Sequence, residues 1–162
     1  MKIAAPILAC GLIAAVSPAA VASRGASFLK EAMQGDNSET TLGAIAAKRG
    51  GSAGVRDFGA MLASDHRKGK LEAATVARRL GVPVTSRMAP EAIAERAKLA
   101  RLSGRDFDRE FARYMVEDHH KDIAKFSSEA RSRDPAAAVA LAKQTLPVLR
   151  RHLAVAERLA EA

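Results

Sequence analysis

The segment 107–126, FDREFARYMVEDHHKDIAKF, carries an apolar stripe of Phe107, Phe111, Met115, Ile123 and Phe126, with His119 on the same stripe and Asp118 before it. Apolar residues recurring three or four apart make one face of an amphipathic helix. An imidazole on that face must satisfy both ring nitrogens once buried, by hydrogen bonds or by a metal ion. The pattern recurs fifty-three residues earlier, where Phe58, Leu62, Asp65, His66 and Lys68 match Phe111, Met115, Asp118, His119 and Lys121. Two helices thus share the signature F-x6-D-H-x-K.

The elements that must position these rings are legible from periodicity and breakers. A first helix is expected over 27–49, with Phe28, Ala32, Gly35, Glu39, Leu42, Ile45 and Ala46 inward and Gly50-Gly51 ending it. Ser52 can cap a second helix over 53–80, whose inner face holds Val55, Phe58, Leu62, His66, Gly69, Ala73, Val76 and Leu80. Gly81, Pro83 and Pro90 then break the pattern, leaving a crossover with one short helix over 91–102. That crossover can run back along a bundle, so that a third long helix, 105–131, lies parallel to the second. Asp134-Pro135 starts a last helix bearing Val139, Ala142, Leu146, Leu149, His152, Ala156 and Leu159, with Pro147 expected to kink it.

Each long helix has one ionisable intruder on its apolar stripe, and the four lie at one depth. Glu39 is about 12 residues before the first hairpin turn and His66 about 15 after it; His119 is about 15 before the second turn and His152 about 18 after it. At a rise of about 1.5 Å per residue the mismatch is roughly 5 Å in each hairpin. A carboxylate and three imidazoles meeting in a core suit a divalent zinc, copper, iron or manganese ion. Glu39, His66, His119 and His152 are therefore candidate ligands, with Asp65 and Asp118 as orienting partners or alternate ligands. The other reading is a metal-free hydrogen-bonded network that fixes helix register.

Competing motifs fall away. Glu117-x-x-His120 has di-iron spacing but faces away from the stripe with Arg113 and Ala124, and the second and last helices carry no further Glu-x-x-His. Ser64-Asp65-His66 cannot line up as nucleophile and base, because successive helical residues diverge by about 100°. The glycines at 50, 51 and 54 follow a helix and lack the phosphate-loop lysine. Met61 and Met115 read as core filler. No catalytic constellation remains, and nothing in the residues supports an enzyme.

Lys2, the apolar residues after it, and Ala20-Val21-Ala22 read as a signal peptide over 1–22, cleaved before Ser23, leaving one domain over 23–162; retention as an anchor is the alternative. The only cysteine, Cys10, lies in that segment, so the mature chain has no thiol chemistry. The protein is expected to be exported, periplasmic or held at the cell envelope. The net charge is +8, and +7 without residues 1–22, which contain Lys2 alone. Those charges are interleaved with acids on every helix and lack stacking aromatics, so no nucleic-acid partner is expected. Weak contact with an anionic membrane surface is compatible with them.

The motifs F-x2-M-L-x2-D-H-x-K, Y-M-V-E-D-H-x-K-D and T-L-P-x-L-x-x-H-L occur in this order over about 28–159. With them the chain resembles a bacterial exported family catalogued as domain of unknown function four-one-four-two. The resemblance implies a ferritin-like fold, and hence an all-α four-helix bundle with one long crossover containing a short helix. It carries over Glu39, Asp65, His66, Asp118, His119 and His152 and implies no activity. The paired His119-His120 is similar to a copper-linked group of exported helical proteins, whose Met-Ile-Pro lead-in this chain lacks.

Overall fold

A computed structural model describes residues 18–162, with side chains from residue 25 onward. The described residues are all-α: α1 (Pro18–Arg49), α2 (Ala53–Arg79), the short α3 (Pro90–Leu99), α4 (Gly104–Glu129) and α5 (Ala136–Ala160). Most of the expected signal segment, 1–17, lies outside the described residues. Helix α1 begins at Pro18 rather than near Ser27, because 18–26 contains good helix formers and a proline at a tolerated first position. Helix α3 ends at Leu99, three residues short of the expected limit. Helix α5 runs through Pro147.

Helices α1 and α2 form one hairpin, α4 and α5 the other. Ser52 caps α2 by accepting from the Val55 N–H. Asp108 of α4 reaches across and takes the Gly51 and Ser52 N–H groups at 2.7 Å each, occupying the positive end of α2. This contact places the α1–α2 turn beside the start of α4, while Gly25 of α1 lies beside Asp134 and Pro135 at the α4–α5 turn. Helix α1 is therefore antiparallel to α4, and α2 parallel to α4, as the long crossover requires. The crossover is tied to α1 by two side chains next to Glu39. Asn37 donates to the Thr85 and Arg87 carbonyls, and the Ser38 hydroxyl accepts from the Ala89 N–H.

The interior has two apolar layers. One holds Phe28, Leu29, Met33, Phe126, Leu141 and Leu149. The other holds Leu42, Phe58, Leu62, Phe107, Phe111 and Met115. On every long helix the intruding polar residue falls between the stretch that feeds one layer and the stretch that feeds the other. A polar stratum thus crosses the core at mid-height.

Backbones of α1 and α2 touch where two glycines face each other. A Cβ on Gly59 would lie 2.5 Å from the Ala47 nitrogen, and one on Gly43 would lie 2.7 Å from the Gly59 carbonyl oxygen. Neither neighbour is a side chain that can swing away. Gly59→Ala is expected to force the hairpin apart and to cost about 1–3 kcal/mol, despite the helix propensity gained. A lowered urea midpoint checks this; an unchanged or raised midpoint would refute the close crossing.

Candidate metal centre

Glu39, His119 and His152 have no exposed surface and His66 only 5%. One ligand atom from each of the four lies within 4.8 Å of those of the others. The ring centroids are 5.2 to 6.1 Å apart, in tilted or edge-on pairs. His66 Nε2 is 3.0 Å from Glu39 Oε2, and His119 Nε2 is 3.4 Å from the same oxygen. Four donors around an ion with bonds of about 2.0–2.1 Å stand roughly 3.3–3.4 Å apart in a tetrahedron, close to the two separations from Glu39.

Each ring is oriented by its other nitrogen. His66 Nδ1 is 2.9 Å from Asp36 Oδ1, His119 Nδ1 is 2.9 Å from the Met115 carbonyl oxygen, and His152 Nε2 is 3.1 Å from Asp65 Oδ2. Carbonyls and carboxylates accept, so these three nitrogens donate. His66 Nε2, His119 Nε2 and His152 Nδ1 are left buried with no hydrogen-bond partner, as are both oxygens of Glu39. The close His66–Glu39 approach is an ion-pair distance without hydrogen-bond alignment. Five polar atoms thus converge, with the His66–Glu39 ion pair as their closest contact, and the Glu39 Oε1, His119 Nε2 and His152 Nδ1 atoms that remain without a hydrogen bond suit a cation.

The charges agree with this geometry. Burial alone would raise Glu39, but the neighbouring His119, His66 and His152 outweigh it and hold the carboxyl down at about 2. His152 is pushed down to about 4 by burial and then by His66, against its bond to Asp65. It is therefore neutral at ordinary pH, with a lone pair on Nδ1. For His66, burial is outweighed by Glu39 and Asp36, and its value rises well above normal. Without an ion His66 keeps its proton between two carboxylates, the place that a dication held by Glu39 and the three histidines would take over.

Of the two aspartates expected to orient a ring, Asp65 does so and Asp118 does not. Asp65 serves His152 on α5, not its neighbour His66, because adjacent helical residues face different ways; Arg151 holds the same oxygen at 2.7 Å. Asp118 orients no ring and lies in a second acidic group with Glu39 and Asp122. His119 relies on its own helix. Asp36 escaped sequence reading although it sits three residues before Glu39. The signal that could have exposed it is Gly69, where a Cβ would lie 2.7 Å from Asp36 Oδ1, so this glycine leaves room for the carboxylate. Glu117 and His120 are on the surface: Glu117 pairs with Arg113 and Lys121, and the His120 side chain is 60% exposed near Glu157.

Asp118 is half-buried, and its pKa is pushed up to about 8 by burial and by the Glu39, Asp122 and Glu91 charges. Its folded-state value exceeds its unfolded one of 3.8, so the stability it contributes is present at acid pH and is lost as pH rises toward 8. Asp118→Asn is expected to stabilise the metal-free protein at pH 8 by roughly 1–2 kcal/mol and hardly at all at pH 4. Melting curves at both pH values check it; an equal effect at both would refute it.

Fold and site together define an all-α domain with a buried Glu/His cluster that could hold a metal ion. The chain belongs to the DUF4142 family, a domain of unknown function, which matches residues 11–159. No curated protein matches it. A solved DUF305 fragment from Deinococcus radiodurans is similar in structure, with a TM-score of 0.74 at 20% identity over 85% of this chain and 95% of that one. At that identity the likeness concerns the fold alone. Among the described residues no helix is long and apolar enough to cross a membrane.

Proposed function

We propose that this chain is an exported metal-binding protein of the periplasm or cell envelope, a ferritin-like four-helix bundle whose core takes one divalent transition ion on Glu39, His66, His119 and His152. The observation that carries the reading is the sorting of the imidazole nitrogens. In each ring one nitrogen is bonded to an acceptor and the other makes no aligned hydrogen bond; those of His66 and His119 lie 3.0 and 3.4 Å from Glu39 Oε2. Three imidazoles and one carboxylate suit zinc, and also copper, iron or manganese. Holding the ion is the proposed role, without catalysis: the donors come from four helices and are almost wholly buried. Export rests on the apolar N-terminal segment and its A-x-A ending.

Elemental analysis of protein purified from its own compartment, without chelator or nickel resin, tests the reading. About one ion per chain is expected, with a melting temperature that falls on chelation and recovers on adding back the same metal. Metal-free protein that also refuses zinc, copper, iron and manganese would overturn it. The polar stratum would then act as a register-fixing network, the reading favoured by the His66 pairing with Asp36 and Glu39.

A further inference from the structure

Glu39 belongs to two groups. Besides the histidine cluster, one ligand atom each from Glu39, Asp118 and Asp122 come within 4.8 Å of one another. The two aspartates sit on the face of α4 that borders a pocket of about 210 Å³, lined also by Glu31, Glu91 and Tyr114. Acidic residues alone would mean little, but two further features point to a ligand. The Glu39 carboxylate is fully buried, and while its Oε2 faces His66 and His119 its Oε1 is left without a hydrogen-bond partner. Tyr114, nine-tenths buried, lines the same pocket with its Oη also unpartnered.

The field of this pocket already attracts a cation. The Lys125 ammonium lies 3.2 Å from Glu31 and 3.5 Å from Asp122, with its side chain 36% exposed. Three carboxylates and a phenol offer oxygen donors only, the set preferred by hard cations such as manganese. The nitrogen-rich cluster on the other side of Glu39 prefers zinc or copper.

We propose that Glu39, Asp118 and Asp122 form a second cation site, open to the acidic pocket, so that Glu39 bridges a nitrogen-ligated ion and an oxygen-ligated one. This deepens the metal-binding reading and rests on it in one respect, the sharing of Glu39.

The test titrates Mn2+ into wild-type protein loaded with one equivalent of Zn2+, following free Mn2+ by electron paramagnetic resonance. One tightly bound Mn2+ per chain is expected. In the double variant Asp118→Asn, Asp122→Asn the Mn2+ affinity should fall at least about tenfold, with zinc content and helicity unchanged. Equal Mn2+ binding by wild type and double variant, with zinc retained in both, overturns the second site and leaves the histidine centre standing. Failure of the wild type to retain zinc overturns zinc as the ion of the histidine centre. In that event Mn2+ bound by zinc-free wild type and lost in the double variant still supports the carboxylate site, and no Mn2+ binding overturns it as well.

Discussion

His119→Ala is expected to purify with almost no metal, its affinity lowered at least about 100-fold. Loss of a mere outer partner commonly costs 10–100-fold, and His119 supplies a donor itself. Removing a fully buried ring also leaves a cavity, so a lowered melting temperature alone would not separate ligation from packing. The discriminating quantity is the rise in melting temperature on adding metal. At a free ion concentration 100 times the dissociation constant, binding stabilises the wild type by about 2.7 kcal/mol, and that increment should vanish in the variant. His120→Ala is the control, since its side chain is 60% exposed and outside the cluster. A His119→Ala protein that keeps the full metal-dependent rise would exclude this ring from the centre.

Glu39→Leu should destabilise the protein even when metal is absent, by about 3–5 kcal/mol. Glu39 is the counter-charge of His66 and lies beside His119, in a stratum with almost no solvent. Removing one member of a buried pair strands the other, and that penalty exceeds the pair's net worth. Asp36 remains beside His66 and absorbs part of the loss. Glu39→Gln keeps the shape and should cost less. Urea denaturation of chelated protein measures both variants; a neutral or stabilising Glu39→Leu would mean that the rings are held by packing alone.

The weak membrane-surface contact expected from the basic charge is a proposal with a simple test. Binding to anionic vesicles, if the interleaved lysines and arginines support it, should fall steeply between low and physiological salt.

The helices, most of their inner stripes and the common depth of Glu39, His66, His119 and His152 follow from the sequence by itself; Leu80, expected inward, is 37% exposed just past the end of α2. Helical rise and period are nearly invariant, so spacing along the chain converts directly into height and face. The same rule kept Glu117 and His120 on the surface. What only the tertiary structure decided is which group meets which across the helices. Asp65 turns to His152 rather than His66, Asp36 comes to His66 over Gly69, His119 takes the carbonyl of Met115, and Asp118 joins Asp122 on the far side of Glu39. Those pairings depend on the rotation of each helix about its axis and on rotamers set by neighbours, and a single strand of sequence spacing contains neither.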